Sequence, residues 1–249
     1  MVAQQFCQLI WRKFACSRSE LRLDITLKCG QSFRWKAEQL EDETIYAGVL
    51  FNKLVLLKQD ESFLHYSDPS GCLDETALQT YLNLDVDLQT LYQAWSKVDP
   101  IFLEIGKKYP GVRMLRQDPV ENLFSFICSA NNNISRISGM VENMAKEYGD
   151  KVCEFEGVEY HSFPKLESLS GPGVEDKLRE LGFGYRAKYI QLSAQKILEL
   201  GGEEWLHGLR KLKYAEAKEK LLSLSGIGPK QNRCPSLVLK AQEQNILGS

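Results

Sequence analysis

The hydrophobic period of this 249-residue chain changes once, near Asp74, and that change divides what it can fold into. Between about 21 and 66, Leu21, Leu23, Ile25 and Leu27 alternate with polar residues, and the runs from Leu54 to Leu57 and from Phe63 to Tyr66 follow turn-forming stretches. Period-two runs broken by turns are the signature of an antiparallel sheet. From Asp74 the spacing becomes helical, first through Leu78, Leu82, Leu88, Leu91 and Trp95. Asp118-Pro119 then supplies a side-chain cap and a first-turn proline ahead of Val120, Leu123, Phe124 and Ile127, in a helix expected to stop at Asn131-Asn132-Asn133. Helices are further expected over about 134–148, 174–181, 186–200, 203–211 and 214–223, divided by glycines. The chain therefore reads as α+β. An antiparallel β-sheet domain with helices occupies 1–117, and an all-α domain occupies 118–249.

No apolar run approaches the roughly 18 residues of a spanning helix, so no membrane association is expected. The net charge of −2 conceals an uneven distribution: residues 177–240 hold thirteen Lys and Arg against six Glu and no Asp. Solvated helix faces account for about half of these charges, and a basic region around a phosphate-type turn also matches an electrostatic footprint for nucleic acid. Cysteines at 7, 16, 29, 72, 128, 153 and 234 are odd in number and widely spaced, which suits reduced thiols and no metal site. The first nineteen residues hold Arg12, Lys13 and Arg18 with no acid, a composition shared by organelle transit segments and ordinary amphipathic starts.

The densest chemical signal is Leu224-Ser225-Gly226-Ile227-Gly228-Pro229-Lys230. Gly226 and Gly228 permit positive φ and leave amide N–H groups uncovered, so the turn can cradle one phosphate ahead of a helix that begins with proline. Lys230 can attack a carbonyl-like carbon and hold it as a Schiff base if its surroundings favour the free amine. Taken alone, the same turn also fits an ordinary helical hairpin with a solvated lysine.

Five further stretches accompany the hinge: Ser19-Glu20-Leu21-Arg22-Leu23-Asp24, Gly30-Gln31-Ser32-Phe33-Arg34-Trp35, Leu115-Arg116-Gln117-Asp118-Pro119, Asn131-Asn132-Asn133-Ile134-Ser135-Arg136 and Leu181-Gly182-Phe183-Gly184-Tyr185-Arg186-Ala187. With them, the chain from about Leu21 to Lys230 resembles the eukaryotic 8-oxoguanine DNA glycosylases of the helix-hairpin-helix glycosylase superfamily. The resemblance implies a bifunctional repair enzyme that removes 8-oxoguanine opposite cytosine from duplex DNA and nicks the abasic site, as a monomer in the nucleus, with the mitochondrion left open as a second address. Such chemistry on a stacked base requires the base to be flipped out. In the family pattern Asn131 fills the vacancy, Tyr185 wedges the opposite strand, and Arg136 and Arg186 contact the orphaned cytosine. Gly30 offers a main-chain carbonyl to the N7–H that guanine lacks, Cys234 packs on the extruded base, and Lys230 is the nucleophile. No cofactor or metal is implied.

Beyond Lys230 the resemblance fades to Cys234 alone. Pro235 interrupts the second hairpin helix, where its ring opposes the carbonyl of Gln231 at a cost of about 3 kcal/mol. The family's aspartate, about twenty residues past the lysine, has no counterpart: the last Asp is Asp176, and Glu243 is the single acid after Lys230. Two expectations follow. The chain is a truncated or alternatively spliced form, incomplete in its helical domain and slow in excision; the alternative is a non-catalytic damaged-DNA-binding or interaction protein.

Overall fold

The computed structural model describes residues 9–40 and 43–228. These fall into two compact units, one comprising residues up to 116 together with 152–160, the other residues 117–151 together with those from 161 onward. The first holds a five-stranded antiparallel sheet formed by β1 (Arg12–Ala15), β2 (Lys36–Leu40), β3 (Glu43–Leu50), β4 (Lys53–Gln59) and β5 (Phe63–Ser67), in the order β1-β5-β4-β3-β2. The β3–β4 register pairs Tyr46 with Leu57 and Val49 with Leu54. Both faces of this sheet are covered, which is why the run Leu54 to Leu57 is apolar throughout rather than alternating. Val55, Leu57, Leu64 and Tyr66 face Leu21, Leu23, Leu27, Leu78, Tyr81 and Leu115, whereas Leu54, Leu56, Ile45, Ala47 and Val49 face Phe155 and Tyr160.

Phe155 and Tyr160 belong to a hairpin, β6 (Lys151–Phe155) and β7 (Val158–His161), that the sequence reading passed over within the second domain. Its two-residue turn, Glu156-Gly157, has positive φ at both positions, the mirror-type turn that suits the twist of paired strands. Residues 152–160 pack with the sheet, so the 118–249 range is not one structural unit.

Several other expectations are corrected. The Leu21-to-Leu27 alternation is not a strand. It contains a helical turn, α1 (Leu23–Thr26), because Leu23 and Leu27 at spacing four bury one face while Leu27 N–H donates to the Leu23 carbonyl at 3.1 Å. Arg12–Ala15, read as an amphipathic start, is instead an edge strand. The helix after Asp74 breaks at Asn83, whose φ is 58°, into α2 (Glu75–Tyr81) and α3 (Leu88–Val98). A further helix, α4 (Pro100–Lys108), starts at Asp99-Pro100, with the Asp99 carboxylate accepting from the Ile101 and Phe102 amides.

The second unit is helical: α5 (Pro119–Cys128), α6 (Ile134–Tyr148), α7 (Leu166–Ser170), α8 (Val174–Glu180), α9 (Arg186–Leu200), α10 (Gly202–Leu209) and α11 (Tyr214–Leu222). Asp118 caps α5 by accepting from the Val120 and Glu121 amides at 2.9 Å each, and the helix ends at Cys128, three residues before Asn131. Phe124, Ile127 and Cys128 of this helix are fully buried. Helix α9 packs against α5, α7, α8 and α10 through Ala187, Ile190, Ala194 and Ile197, a stripe at helical spacing.

Candidate nucleic-acid interface

The three asparagines between α5 and α6 divide their tasks. Asn132 turns inward, donating from Nδ2 to the Cys128 carbonyl at 3.0 Å and to Met140 Sδ at 3.3 Å. Asn133 caps α6, its Oδ1 accepting from the Arg136 amide at 3.0 Å. Asn131, at φ 49°, is exposed, and its amide has no side-chain partner among the described residues. Two short polar residues thus lock the loop and present the third outward.

Helix α9 meets this loop with its first residues. Arg186 is buried, and its Nε donates to the Ala130 carbonyl at 3.2 Å while Nη2 donates to the same oxygen at closer range and to the Asn131 carbonyl at 3.2 Å. The Tyr185 hydroxyl donates to Ala130 as well, at 3.2 Å, and the Arg186 guanidinium carbon lies 4.6 Å from the Tyr185 ring centroid. Arg136, exposed, reaches the Gly182 carbonyl at 3.5 Å, a long bond that constrains it little. Asn131, Arg136, Tyr185 and Arg186 therefore form one patch: a free amide, two guanidiniums and a half-exposed aromatic ring. Beneath it, burial pushes the Cys128 thiol up to about 12 despite the opposing charge of Arg186, so the group is a neutral packing residue.

The hinge lies along the same helix. After α11, Ile227 N–H donates to the Leu224 carbonyl at 3.4 Å, and the Ser193 hydroxyl of α9 donates to the Ser225 carbonyl at 2.8 Å. Gly226 has φ 79°, and a Cβ there would stand 2.8 Å from Cβ of Tyr189. Glycine is required at 226 for both reasons. Gly228 follows in the same turn; Pro229, Lys230, Cys234 and Pro235 lie outside the described residues.

Gly30 belongs to the first unit, at φ 82° in the bend after α1, and its carbonyl accepts no hydrogen bond from the described residues. The neighbouring Gln31 holds the bend. Its Nε2 donates to the carbonyls of Thr26 at 3.0 Å and Arg113 at 2.8 Å, and its Oε1 accepts from the Leu115 amide at 2.9 Å. Trp35 closes the same motif, its Nε1 donating to the Tyr81 hydroxyl at 2.9 Å. Among the described residues no cluster of His, Cys, Asp and Glu is arranged to hold a metal, and no helix is long and apolar enough to cross a membrane.

Two family models match in succession: the 8-oxoguanine DNA glycosylase N-terminal domain over residues 13–123, and the HhH-GPD superfamily base excision DNA repair protein over 124–244. A solved MBOgg1 complex with a low-affinity DNA ligand superposes with a TM-score of 0.80 at 30% identity, over 94% of this chain and 80% of that one. The chain belongs to the 8-oxoguanine DNA glycosylase family. The 8-oxoguanine glycosylase/lyase of Clostridium acetobutylicum, solved with duplex DNA containing cytosine opposite 8-oxoguanine, has a TM-score of 0.79 at 27% identity, over 94% and 79% of the two chains. The N-glycosylase/DNA lyase OGG1 of Arabidopsis thaliana is 39% identical over 243 residues, 95% of this chain, and the N-glycosylase/DNA lyase of Saccharomyces cerevisiae 38% identical over 245, or 91%. This chain spans 65% of the length of each of these two relatives.

Sequence reasoning singled out Asn131, Arg136, Tyr185 and Arg186 and passed over the groups that hold them in place. Gln31, Asn132, Asn133 and the Ala130 carbonyl have no side-chain identity that marks them as site residues. The polar triplet itself was the available signal, because asparagines ahead of a helix readily cap it and bond to nearby backbone carbonyls.

Proposed function

We propose that this chain is a base-excision glycosylase that removes 8-oxoguanine opposite cytosine from duplex DNA and nicks the resulting site through a Schiff base on Lys230. The observation that carries this reading is the patch in which Tyr185 and Arg186 donate to the Ala130 carbonyl beside Asn131, while Arg136 donates to the nearby Gly182 carbonyl. A flipped base leaves a hole and an unpaired partner. The free Asn131 amide suits the hole, and the Tyr185 ring suits a wedge between stacked bases. Arg186 keeps Nη1 without an acceptor among the described residues, and Arg136 is nearly unconstrained, so both can donate to O2 and N3 of cytosine. The open Gly30 carbonyl suits the N7–H of 8-oxoguanine. Facing the N7 lone pair of guanine instead would cost about 1–3 kcal/mol in a dry site.

In this reading the turn at Gly226 and Gly228 contacts one phosphate ahead of Lys230. Lys230 then has to be deprotonated, which burial or positive neighbours achieve by lowering its pKa from about 10.4. Its lone pair bonds C1′ while the C1′–N9 bond breaks, and the base leaves with that electron pair and takes up a proton. Ring opening gives the imine, and loss of a C2′ proton expels the 3′ phosphate.

A second reading, damaged-DNA binding without turnover, is favoured by the composition of residues 231–249, where Glu243 is the single acid. Borohydride trapping on a duplex with one 8-oxoguanine opposite cytosine separates the two. A covalent band that disappears in Lys230→Gln supports the enzyme. Cytosine-dependent binding without any band supports the second reading, and an undiminished band in Lys230→Gln overturns the assignment of the nucleophile.

A further inference from the structure

Tyr185, the residue that precedes α9, and Tyr189 and Ser193 within it follow at four-residue spacing, so that they lie one above the next. Each touches something different. Tyr185 holds the Ala130 carbonyl of the asparagine loop, and Ser193 holds the Ser225 carbonyl of the hinge. Tyr189 stands between them, with its ring edge-on to that of Tyr185 at a centroid distance of 5.8 Å and an interplanar angle of 71°. Its other side closes on Gly226 so tightly that a Cβ there would lie 2.8 Å from Tyr189 Cβ and Cδ2. The Tyr189 hydroxyl makes no hydrogen bond among the described residues, so the ring alone makes these contacts.

We infer that Tyr189 is a positioning residue: its ring, set between Tyr185 and the Gly226 turn, couples the patch that reads the opposite base to the hinge that leads into Lys230. The inference rests on the glycosylase reading above and adds to it a reason for excision to depend on the opposite base. When cytosine engages Arg186 and Tyr185, the ring of Tyr185 cannot shift without moving that of Tyr189. Tyr189 in turn cannot move without moving Gly226, because there is no space between them. A helix with several buried contacts transmits this as a rigid element.

The test compares Tyr189→Leu and Tyr189→Phe with the unmodified chain. The leucine variant keeps apolar volume on a half-exposed site, and α9 retains Ile190, Ala194 and Ile197 in the core, so its melting temperature should change little. It should bind a tetrahydrofuran abasic analogue opposite cytosine within about threefold of the unmodified chain, since Arg186, Arg136 and Asn131 are untouched. Imine trapping on 8-oxoguanine duplexes should fall by about tenfold or more, and the ratio of trapping rates for cytosine against adenine opposites should collapse toward one. Tyr189→Phe should restore both.

Hydrogen exchange supplies a readout that needs no turnover. On binding the analogue duplex, amides over 224–228 should gain protection in the unmodified chain and in Tyr189→Phe but not in Tyr189→Leu, while protection over 130–136 is gained in all three. Leucine matching tyrosine in both trapping and exchange overturns the inference and leaves the glycosylase reading intact. An unmodified chain that traps nothing yet shows Tyr189-dependent protection loses the enzyme reading and keeps the coupling. Absence of duplex binding by the unmodified chain overturns both.

Discussion

The Arg186 guanidinium holds the Ala130 carbonyl from two of its nitrogens across 56 residues of chain, fixing the start of α9 against the loop that follows α5. A side chain expected to read DNA is therefore also part of the framework. Arg136, its counterpart in the patch, is exposed and makes one long bond. The two arginines should respond differently to substitution even though both face the same proposed base.

Arg186→Lys replaces a planar fork with a single ammonium that cannot bridge two carbonyls. Because the Tyr185 hydroxyl still reaches Ala130, the stability loss is expected at the low end for a buried hydrogen bond, about 1 kcal/mol. Arg136→Ala should leave stability within about 0.5 kcal/mol. Both should weaken the preference for cytosine opposite an abasic site while leaving salt-sensitive nonspecific binding in place. Denaturant unfolding together with competition binding, cytosine against adenine, checks the pair; equal stability losses would show that Arg186 is not structural.

Gln31 is the second place where framework and proposed reading meet. Removing its amide in Gln31→Ala leaves the Thr26 and Arg113 carbonyls and the Leu115 amide without that partner in a buried bend. Each group left unpaired costs about 1–3 kcal/mol before relaxation, and the Thr26 carbonyl keeps the Cys29 thiol as a weak donor at 3.4 Å. A loss of at least about 2 kcal/mol is expected in urea unfolding. Discrimination between 8-oxoguanine and guanine duplexes should fall with it, because the Gly30 carbonyl is aimed by the same bend. Unchanged discrimination in a folded variant would detach Gly30 from base reading.

The helical ranges over 134–148 and 186–200 agree with the structure to the residue, because each has a clear stripe and a defined end: Asn133 caps one and Gly201 closes the other at φ 119°. The β6–β7 hairpin was illegible for a physical reason. Its apolar residues, Phe155 and Tyr160, are few, and the surface that buries them is a sheet more than ninety residues earlier in the chain. Local pattern cannot report a partner that distant. Asp99-Pro100, by contrast, was readable, since it repeats the Asp118-Pro119 start; the short stretch between α3 and α4 hid it within one long helical period. Asn131, Arg136, Tyr185 and Arg186 were singled out through their motifs, whereas Tyr189 draws notice only because Gly226 lies against it.

Cysteine reactivity tests the burial of both cores at once. Burial raises the Cys16 thiol to about 11, only partly offset by the charge of Arg113, and the Cys128 thiol to about 12. Cys29 and Cys72 are exposed. Iodoacetamide at pH 8 should modify Cys29 and Cys72 and spare Cys16 and Cys128, as read by peptide mass spectrometry. The linkage has a definite sign. A thiol raised in the folded state stabilises it fully below the unfolded pKa, about 8.5, and that contribution is lost as pH rises toward 11 and 12. Stability should therefore decline from about pH 9 upward, and the decline should shrink in Cys16→Ala and Cys128→Ala after allowance for their lost packing.

The chemical steps should separate by substrate. Expelling 8-oxoguanine builds positive charge at C1′, and no aspartate lies after Asp176 to stabilise it. An opened abasic site already presents an aldehyde, so imine formation there requires no departing base and no such stabilisation. Loss of one preorganised electrostatic group is worth about 2.7–4 kcal/mol, or about 10²–10³-fold in rate. Under single-turnover conditions the 249-residue chain should trap on an abasic duplex at least about 10²-fold faster than on an 8-oxoguanine duplex, with both reactions abolished in Lys230→Gln. Extending the chain with the family's own continuation in place of residues 231–249, aspartate included, should narrow that gap chiefly by raising the 8-oxoguanine rate. If the unmodified chain shows no gap, another group supplies the charge, and Glu243→Gln is the substitution that would identify it.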